Sequence, residues 1–360
     1  MTKENVKKKP LRVALIASEH TIREYTMFLE RMLVGLADES IPVALVCPLK
    51  SDIDSVVIGA AEIIRYPVFE LPLTGHLNRR LLAEQLDKFK PTVLHCLCES
   101  KAGLARQLAR RLNLPYVLSV NSLEKRLVHF PLSVKRCVKI LVPAKTIAAR
   151  IAKAHPHFTD RIEQINIGTF MTETQACFSK PSEQITLVTT HQSGRADEFE
   201  NLLSAVKHLI IDGYEFMMII ISDGRAERQL WKLLAALGLL QIVTVVPRLK
   251  PWYLVLSAGD IFIRPEPAAA FSPVLLEAMS VGTAVAGCRG GVDDLIIEDE
   301  TAVVFDPSDE LSIVRSLQRL LDRHEFARKI AKTAQQYVRE NHTVSRMISA
   351  ILKVYDDAQG

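Results

Sequence analysis

Short runs of apolar and β-branched residues alternate along this chain with longer stretches in which apolar positions recur every three or four residues. The short runs fit strands buried on both faces, and the longer recurrence fits amphipathic helices. This pattern predicts strands at 11–17, 42–47, 61–67, 92–96, 116–120 and 139–142, with helices at 21–37, 78–89 and 103–112 between them. Strands that alternate with helices imply a parallel sheet covered on both faces. The polar stretch 171–184, which contains Pro181, interrupts the rhythm, and strands resume at 185–189, 215–221, 242–246 and 260–263. A second α/β domain is therefore expected to begin near residue 183. A last helix at 344–356 follows the break at Asn341 and His342.

Composition agrees with two domains. The chain has 360 residues and is 48% hydrophobic, enough for two domains of about 150 to 200 residues each. No apolar run approaches the ~18 residues of a membrane span. Residues 1–10 are polar, lack the apolar core of a secretory signal, and read as a disordered basic tail. The six cysteines have neither a zinc spacing nor the density of a disulfide scaffold, which predicts reduced thiols and a cytoplasmic protein. Cys96 and Cys98 follow His95, but no second ligand pair accompanies them, so no metal is expected.

Charge is distributed unevenly. Residues 1–180 hold 27 Lys+Arg against 17 Asp+Glu, and residues 181–360 hold 18 against 24, so the halves carry +10 and −6. A basic first half would steer an anionic acceptor or an acidic membrane surface, with Lys101, Arg106, Arg110 and Arg111 on one helix and Lys125, Arg126, Lys135, Arg136 and Lys139 around the apolar stretch 127–138. Neither a GxGxxG turn after a strand nor a Walker-type lysine loop occurs. No tightly held cofactor and no nucleic-acid partner is expected.

Candidate chemistry concentrates in 264–295, whose core SPVLLEAMSVGTAVA reads as cap, helix, turn and strand. Ser272 fits the N-cap, Pro273 fits the first helical position, where no amide donor is needed, and Gly282 fits the turn before a strand at 284–287. Free amides on Val274 and Leu275, with the helix dipole behind them, would attract phosphate, and Glu277 would accept hydrogen bonds from sugar hydroxyls.

This segment resembles the donor-binding signature of glycosyltransferase family 4, in which two glutamates flank seven residues and a Glu-Ala-Met helix precedes a glycine turn. Glu277, Ala278, Met279, Gly282 and Thr283 match it. The resemblance implies that Glu277 holds the ribose hydroxyls of the nucleotide. The first glutamate, which contacts the transferred sugar in that family, falls at Ala269, and Glu266 in the same loop is a possible substitute. The base would lie against the backbone of Arg248 and Leu249. The family's pyrophosphate-binding Gly-Arg and Lys fall, without a gap, near His191, Gln192 and Asp197, and a shifted match places Arg195 there. A histidine after a first-domain strand is replaced by Asn121, and the usual glycine-rich first loop is replaced by 18–25, which contains His20 and no glycine. Arg289 is a further candidate phosphate contact, and Asp293 with Asp294 is expected to cap a following helical segment.

The resemblance further implies an α/β fold of the GT-B type, two Rossmann-like domains with parallel sheets facing each other across a cleft. Its parts would be an acceptor-side domain at 1–180, a nucleotide-sugar domain at 181–342 and a terminal helix at 343–360 returning to the first domain. The implied reaction is retaining transfer from a nucleoside-diphosphate sugar, the co-substrate, to a lipid-linked or glycan acceptor. It needs no metal, and peripheral membrane contact would run through the basic first half. The substitutions at Ala269, Gln192, Asp197 and Asn121 imply a rival: a non-catalytic homologue that binds nucleotide, glycan or a catalytic partner subunit.

Overall fold

A computed structural model of the chain describes residues 10–53, 61–66, 75–123, 130–173, 175–179, 184–191, 199–222, 224, 227–247 and 253–359. Two compact units are present. One comprises Met1–Gly168, Ala269–Phe271 and Val344–Gly360, and the other Thr169–Ala268 and Ser272–Thr343.

In the first unit the elements run β1 (Val13–Ile16), α1 (Glu19–Glu24), α2 (Thr26–Asp38), β2 (Val43–Pro48), β3 (Glu62–Tyr66), α3 (Gly75–Phe89), β4 (Val93–Cys96), α4 (Ala102–Leu112), β5 (Tyr116–Ser119), β6 (Cys137–Val142), α5 (Lys145–Ala154) and β7 (Ile162–Gln164). The strands form one sheet in the order β3-β2-β1-β4-β5-β6-β7, parallel throughout. Every residue of β1, β2, β4 and β5 is buried, as expected of central strands covered on both faces. The expected helix at 21–37 is two helices, because Ser18 caps an extra turn: its hydroxyl accepts from Thr21 N, and the chain bends at Tyr25. His20 therefore lies on α1 and not in an open loop.

The second unit runs β8 (Thr186–His191), α6 (Glu200–Ile211), β9 (Met217–Ser222), α7 (Glu227–Leu237), β10 (Val243–Pro247), α8 (Tyr253–Ser257), β11 (Ile261–Arg264), α9 (Pro273–Ser280), β12 (Ala284–Gly287), β13 (Val303–Val304), α10 (Glu310–Asp322) and α11 (His324–Asn341). Its sheet is again parallel, in the order β10-β9-β8-β11-β12-β13. Asp260 ties the entry to this sheet together, since its carboxylate accepts from Phe178 N at 2.7 Å and from Thr186 N at 2.9 Å. The core is one apolar cluster in which Leu187, Ile220, Ile261 and Ala284 of the sheet pack with Leu203, Leu317 and Ala331 of the helices.

The last helix, α12 (Val344–Gln359), counts with the first unit and packs on α2 and β4. Ile348 enters the space that Gly35 leaves open on α2, where a Cβ would stand within 3 Å of the isoleucine side chain. At the buried end of this contact His95 bonds Tyr355 Oη through Nδ1 at 2.5 Å and Ser119 Oγ through Nε2 at 2.8 Å. Burial lowers the pKa of His95 to about 3, so the imidazole is neutral and serves as a structural link. All six cysteines are free and buried, and no group of three or more potential metal ligands occurs among the described residues. Among those residues no helix is long and apolar enough to cross a membrane.

Candidate functional site

Ligands of open parallel sheets sit beyond the carboxyl ends of the strands, at the point where the strand order reverses. In the second unit that point lies between β8 and β11, where His191 and Arg264 are the last residues of the two strands. Both are buried, and the His191 ring meets Phe199 edge-on at 5.0 Å between centroids.

Beyond β11 the chain turns into α9. Ser272 accepts from Leu275 N at 3.2 Å and Pro273 takes the first position, as the spacing predicts. Every residue of α9 is buried, because the helix lies against β11, β12, α8 and α11. The turn after it needs glycine on two grounds. Gly282 has φ +77°, and a Cβ there would stand 2.9 Å from the Cα of Gln175.

Glu277 projects from this helix with 2% of its surface exposed. Its Oε1 accepts a 2.6 Å hydrogen bond from Thr169 Oγ1, and Thr169 is held in turn by its own N–H, which donates to His342 O at 2.7 Å. The carboxylate is thus fixed by a residue more than a hundred positions away, which no local motif announces. Gln335 completes this neighbourhood, its amide donating to Ser280 O at 3.0 Å and Thr172 O at 3.3 Å.

Two expectations about α9 and its surroundings change. The Leu275 amide is not free, since the Ser272 hydroxyl that starts the helix also occupies it. Asp293 and Asp294 do not cap a helix: Asp293 accepts from Gly290 N at 2.7 Å and closes a turn, and Arg289 pairs with Glu298 at 3.1 Å on the surface. Glu266 is half-buried, and its charge acts on Arg264 and Cys288. The candidate contacts Gln192, Arg195, Arg248 and Leu249, with Asp197, lie outside the described residues.

Ala269, where the resemblance expects the first signature glutamate, counts with the first unit. Its carbonyl accepts from Leu123 N at 2.6 Å and from Ser122 Oγ at 3.4 Å, and Ala270 bridges antiparallel to Ser122. Asn121 stands beside this bridge just past β5. Its carbonyl accepts from Phe271 N at 3.0 Å and from Tyr25 Oη at 3.4 Å, and its side-chain amide donates to Leu97 O at 3.4 Å. The strand order of this unit reverses between β1 and β4. An open cavity of about 420 Å³ lies there, lined by Ser18, Glu19, His20, Arg23, Pro48, Ser100 and Lys101. Elsewhere in this unit Arg106, Arg110, Lys135 and Arg136 line a pocket of about 430 Å³.

Two parallel α/β units, of seven and six strands, make the fold of GT-B glycosyltransferases. The chain superimposes on a glycosyltransferase from Rickettsia africae with a TM-score of 0.78 at 15% identity, over 97% of this chain and 99% of that one. It superimposes on Anabaena HepE, solved with UDP and glucose, with a TM-score of 0.79 at 11% identity, over 96% and 100%. Residues 171–337 match the family described as glycosyl transferases group 1.

Among curated relatives, the chain is 26% identical over 302 residues to the sulfoquinovosyl transferase SQD2 of Arabidopsis thaliana, covering 74% of this chain and 57% of that protein. It is 26% identical over 159 residues to the α-D-kanosaminyltransferase of Streptomyces kanamyceticus, covering 43% of this chain and 41% of the relative. The chain therefore spans about half the length of these relatives.

Proposed function

We propose that this protein transfers a sugar from a nucleoside-diphosphate donor held by the second unit, with retention of anomeric configuration. The observation that carries the reading is Glu277, a carboxylate buried on α9 and oriented by Thr169 beside the carboxyl edge of the sheet. A fixed, desolvated acceptor there suits a pair of ribose hydroxyls, because its hydrogen bonds are stronger than they would be in water and need no reorganisation. The named activities of the relatives, transfer of sulfoquinovose and of kanosamine, are in keeping with a sugar-nucleotide donor. The acceptor belongs to the first unit, and the cavity bearing His20, Arg23 and Lys101 suits an anionic or polyhydroxyl group. The basic pocket with Arg106 and Arg110 suits an acidic membrane surface that carries a lipid-linked acceptor.

One observation favours a non-catalytic second reading. Asn121 and Ala269, at the family's sugar-facing positions, spend their main-chain groups on each other's segments and offer neither a titratable side chain nor a carboxylate. A thermal-shift series with UDP-, GDP-, ADP- and TDP-sugars, each beside its free diphosphate, tests the donor reading. A shift confined to one base and absent in Glu277→Ala supports it, and no shift at millimolar ligand removes it. Release of free diphosphate from the stabilising donor separates turnover from binding alone.

A further inference from the structure

Arg264 closes an otherwise apolar strand, IFIR, with its guanidinium inside the protein. It is 6% exposed. Its Nη2 donates a long bond of 3.4 Å to Gly290 O, and among the described residues neither Nε nor Nη1 has an acceptor within hydrogen-bond distance. Buried polar groups are paired in the great majority of cases, and an orphaned buried charge is destabilising. Burial lowers the pKa of Arg264, while the charges of Asp293 and Glu266 favour its charged form, so it remains a cation.

The backbone around it is tightly drawn. Gly287 stands across the strand pair with its Cβ position 3.6 Å from that of Arg264. Gly290 and Gly291 both take positive φ, and the carbonyl of Ala268 sits where a Gly291 side chain would be. Ala268 O accepts from Val292 N at 2.8 Å, which pins the two loops that flank the guanidinium. The result is a buried cation with two spare donor atoms, among the described residues, at the reversal point of the sheet, eight residues before the cap of α9.

We propose that Arg264 holds the diphosphate of the donor. This deepens the donor-site reading and rests on it. The N–H groups of a guanidinium suit phosphate oxygens, and here Nε and Nη1 lack acceptors among the described residues, while Nη2, which shares a fork with each, makes only the long bond to Gly290 O. The assignment also explains how a chain with Gln192 and Asp197 after β8 neutralises a departing diphosphate: the positive charge comes from the end of β11. Arg264 acts as a positioning residue that stabilises the leaving group electrostatically.

The test is calorimetric titration of the full chain, wild type, Arg264→Met and Arg264→Lys, with UDP, GDP, ADP and their nucleosides. For the base that binds, Arg264→Met is expected to lower diphosphate affinity roughly tenfold to a hundredfold while leaving nucleoside affinity unchanged. Arg264→Lys, which keeps the charge but loses the fork, should fall between. The ratio of diphosphate to nucleoside affinity is the readout, because a merely structural role would lower both together. A ratio unchanged from wild type in both variants overturns the proposal. If the methionine variant does not fold, the ratio in the lysine variant decides. Wild type that binds neither nucleoside nor diphosphate removes the donor-site reading itself, an outcome distinct from an unchanged ratio.

Discussion

The two ends of the signature segment are held in opposite ways. At its far end Glu277 is fixed by side-chain chemistry, a buried carboxylate against a buried threonine hydroxyl on a helix with no exposed residue. At its near end Ala269 and Phe271 are held through their own main-chain groups, by Leu123 and Asn121 and by the Ser122 and Tyr25 hydroxyls, so the side chains of Ala269 and Phe271 are not part of these bonds. The difference explains how one glutamate position can become alanine while the segment keeps its path. A place held by its backbone tolerates a change of side chain, and a place held by a carboxylate does not.

The first unit does contain a buried polar side-chain link, His95 with Tyr355 and Ser119, and it provides the largest effect that would sharpen this contrast. His95 titrates near 3 when folded and near 6.5 when free, so the unfolded chain binds the extra proton first as pH falls. Stability present above pH 6.5 is therefore lost progressively between 6.5 and about 3, at up to roughly 1.4 kcal/mol per pH unit. Urea unfolding across that range should show the slope, and His95→Gln should flatten it. An unchanged slope would mean that the imidazole is not the group responsible.

Next in size, Gly282→Val should cost about 3 kcal/mol or more, because it combines a positive φ with a clash against the Gln175 backbone. Denaturant midpoints would measure it. A loss under about 1 kcal/mol would show that the turn after α9 is more yielding than the packing implies. Removing the carboxylate with Glu277→Ala should cost about 1 to 3 kcal/mol, since it leaves the Thr169 hydroxyl only its longer bond to Phe170 O, and Thr169→Val in the same background should recover part of that. A double-mutant cycle read by thermal melting checks this pair, and strict additivity would dissociate the two residues.

The smallest effect is expected at the near end. Ala269 is exposed and bonded only through its carbonyl and its neighbours' backbone, so Ala269→Glu should change stability by less than about 0.5 kcal/mol. The same variant restores the missing carboxylate. If its melting temperature drops by many degrees, the two ends are not held in different ways.

Much of the fold was legible in the residues. Strands such as 42–47 and 116–120 announced themselves because a parallel sheet covered on both faces demands unbroken apolar runs, and α9 because cap, proline and terminal glycine each have a local stereochemical cause. The helix pair α1 and α2 merged in the sequence because Ser18, Thr21 and Tyr25 interrupt the helix without breaking its apolar period. Among site residues Glu277 was visible from its spacing. Thr169 was not, since nothing near it in sequence marks a hydroxyl that will meet a carboxylate 108 positions later. An arginine ending the apolar run at Arg264 was the sign the sequence offered of a buried cation.

The sequence by itself determined the alternation of elements, the capped helix after β11 and its glycine turn, because these depend on short-range sterics and on period. Only the tertiary structure decided that the Leu275 amide is spent on Ser272, that Asp293 closes a turn, that Ala269–Phe271 counts with the first unit, and that Arg264 keeps two buried donors without an acceptor among the described residues. The reason is that hydrogen-bond satisfaction is settled in space. A donor's partner is whatever the packed chain brings within about 3 Å of it, and sequence separation does not enter that distance.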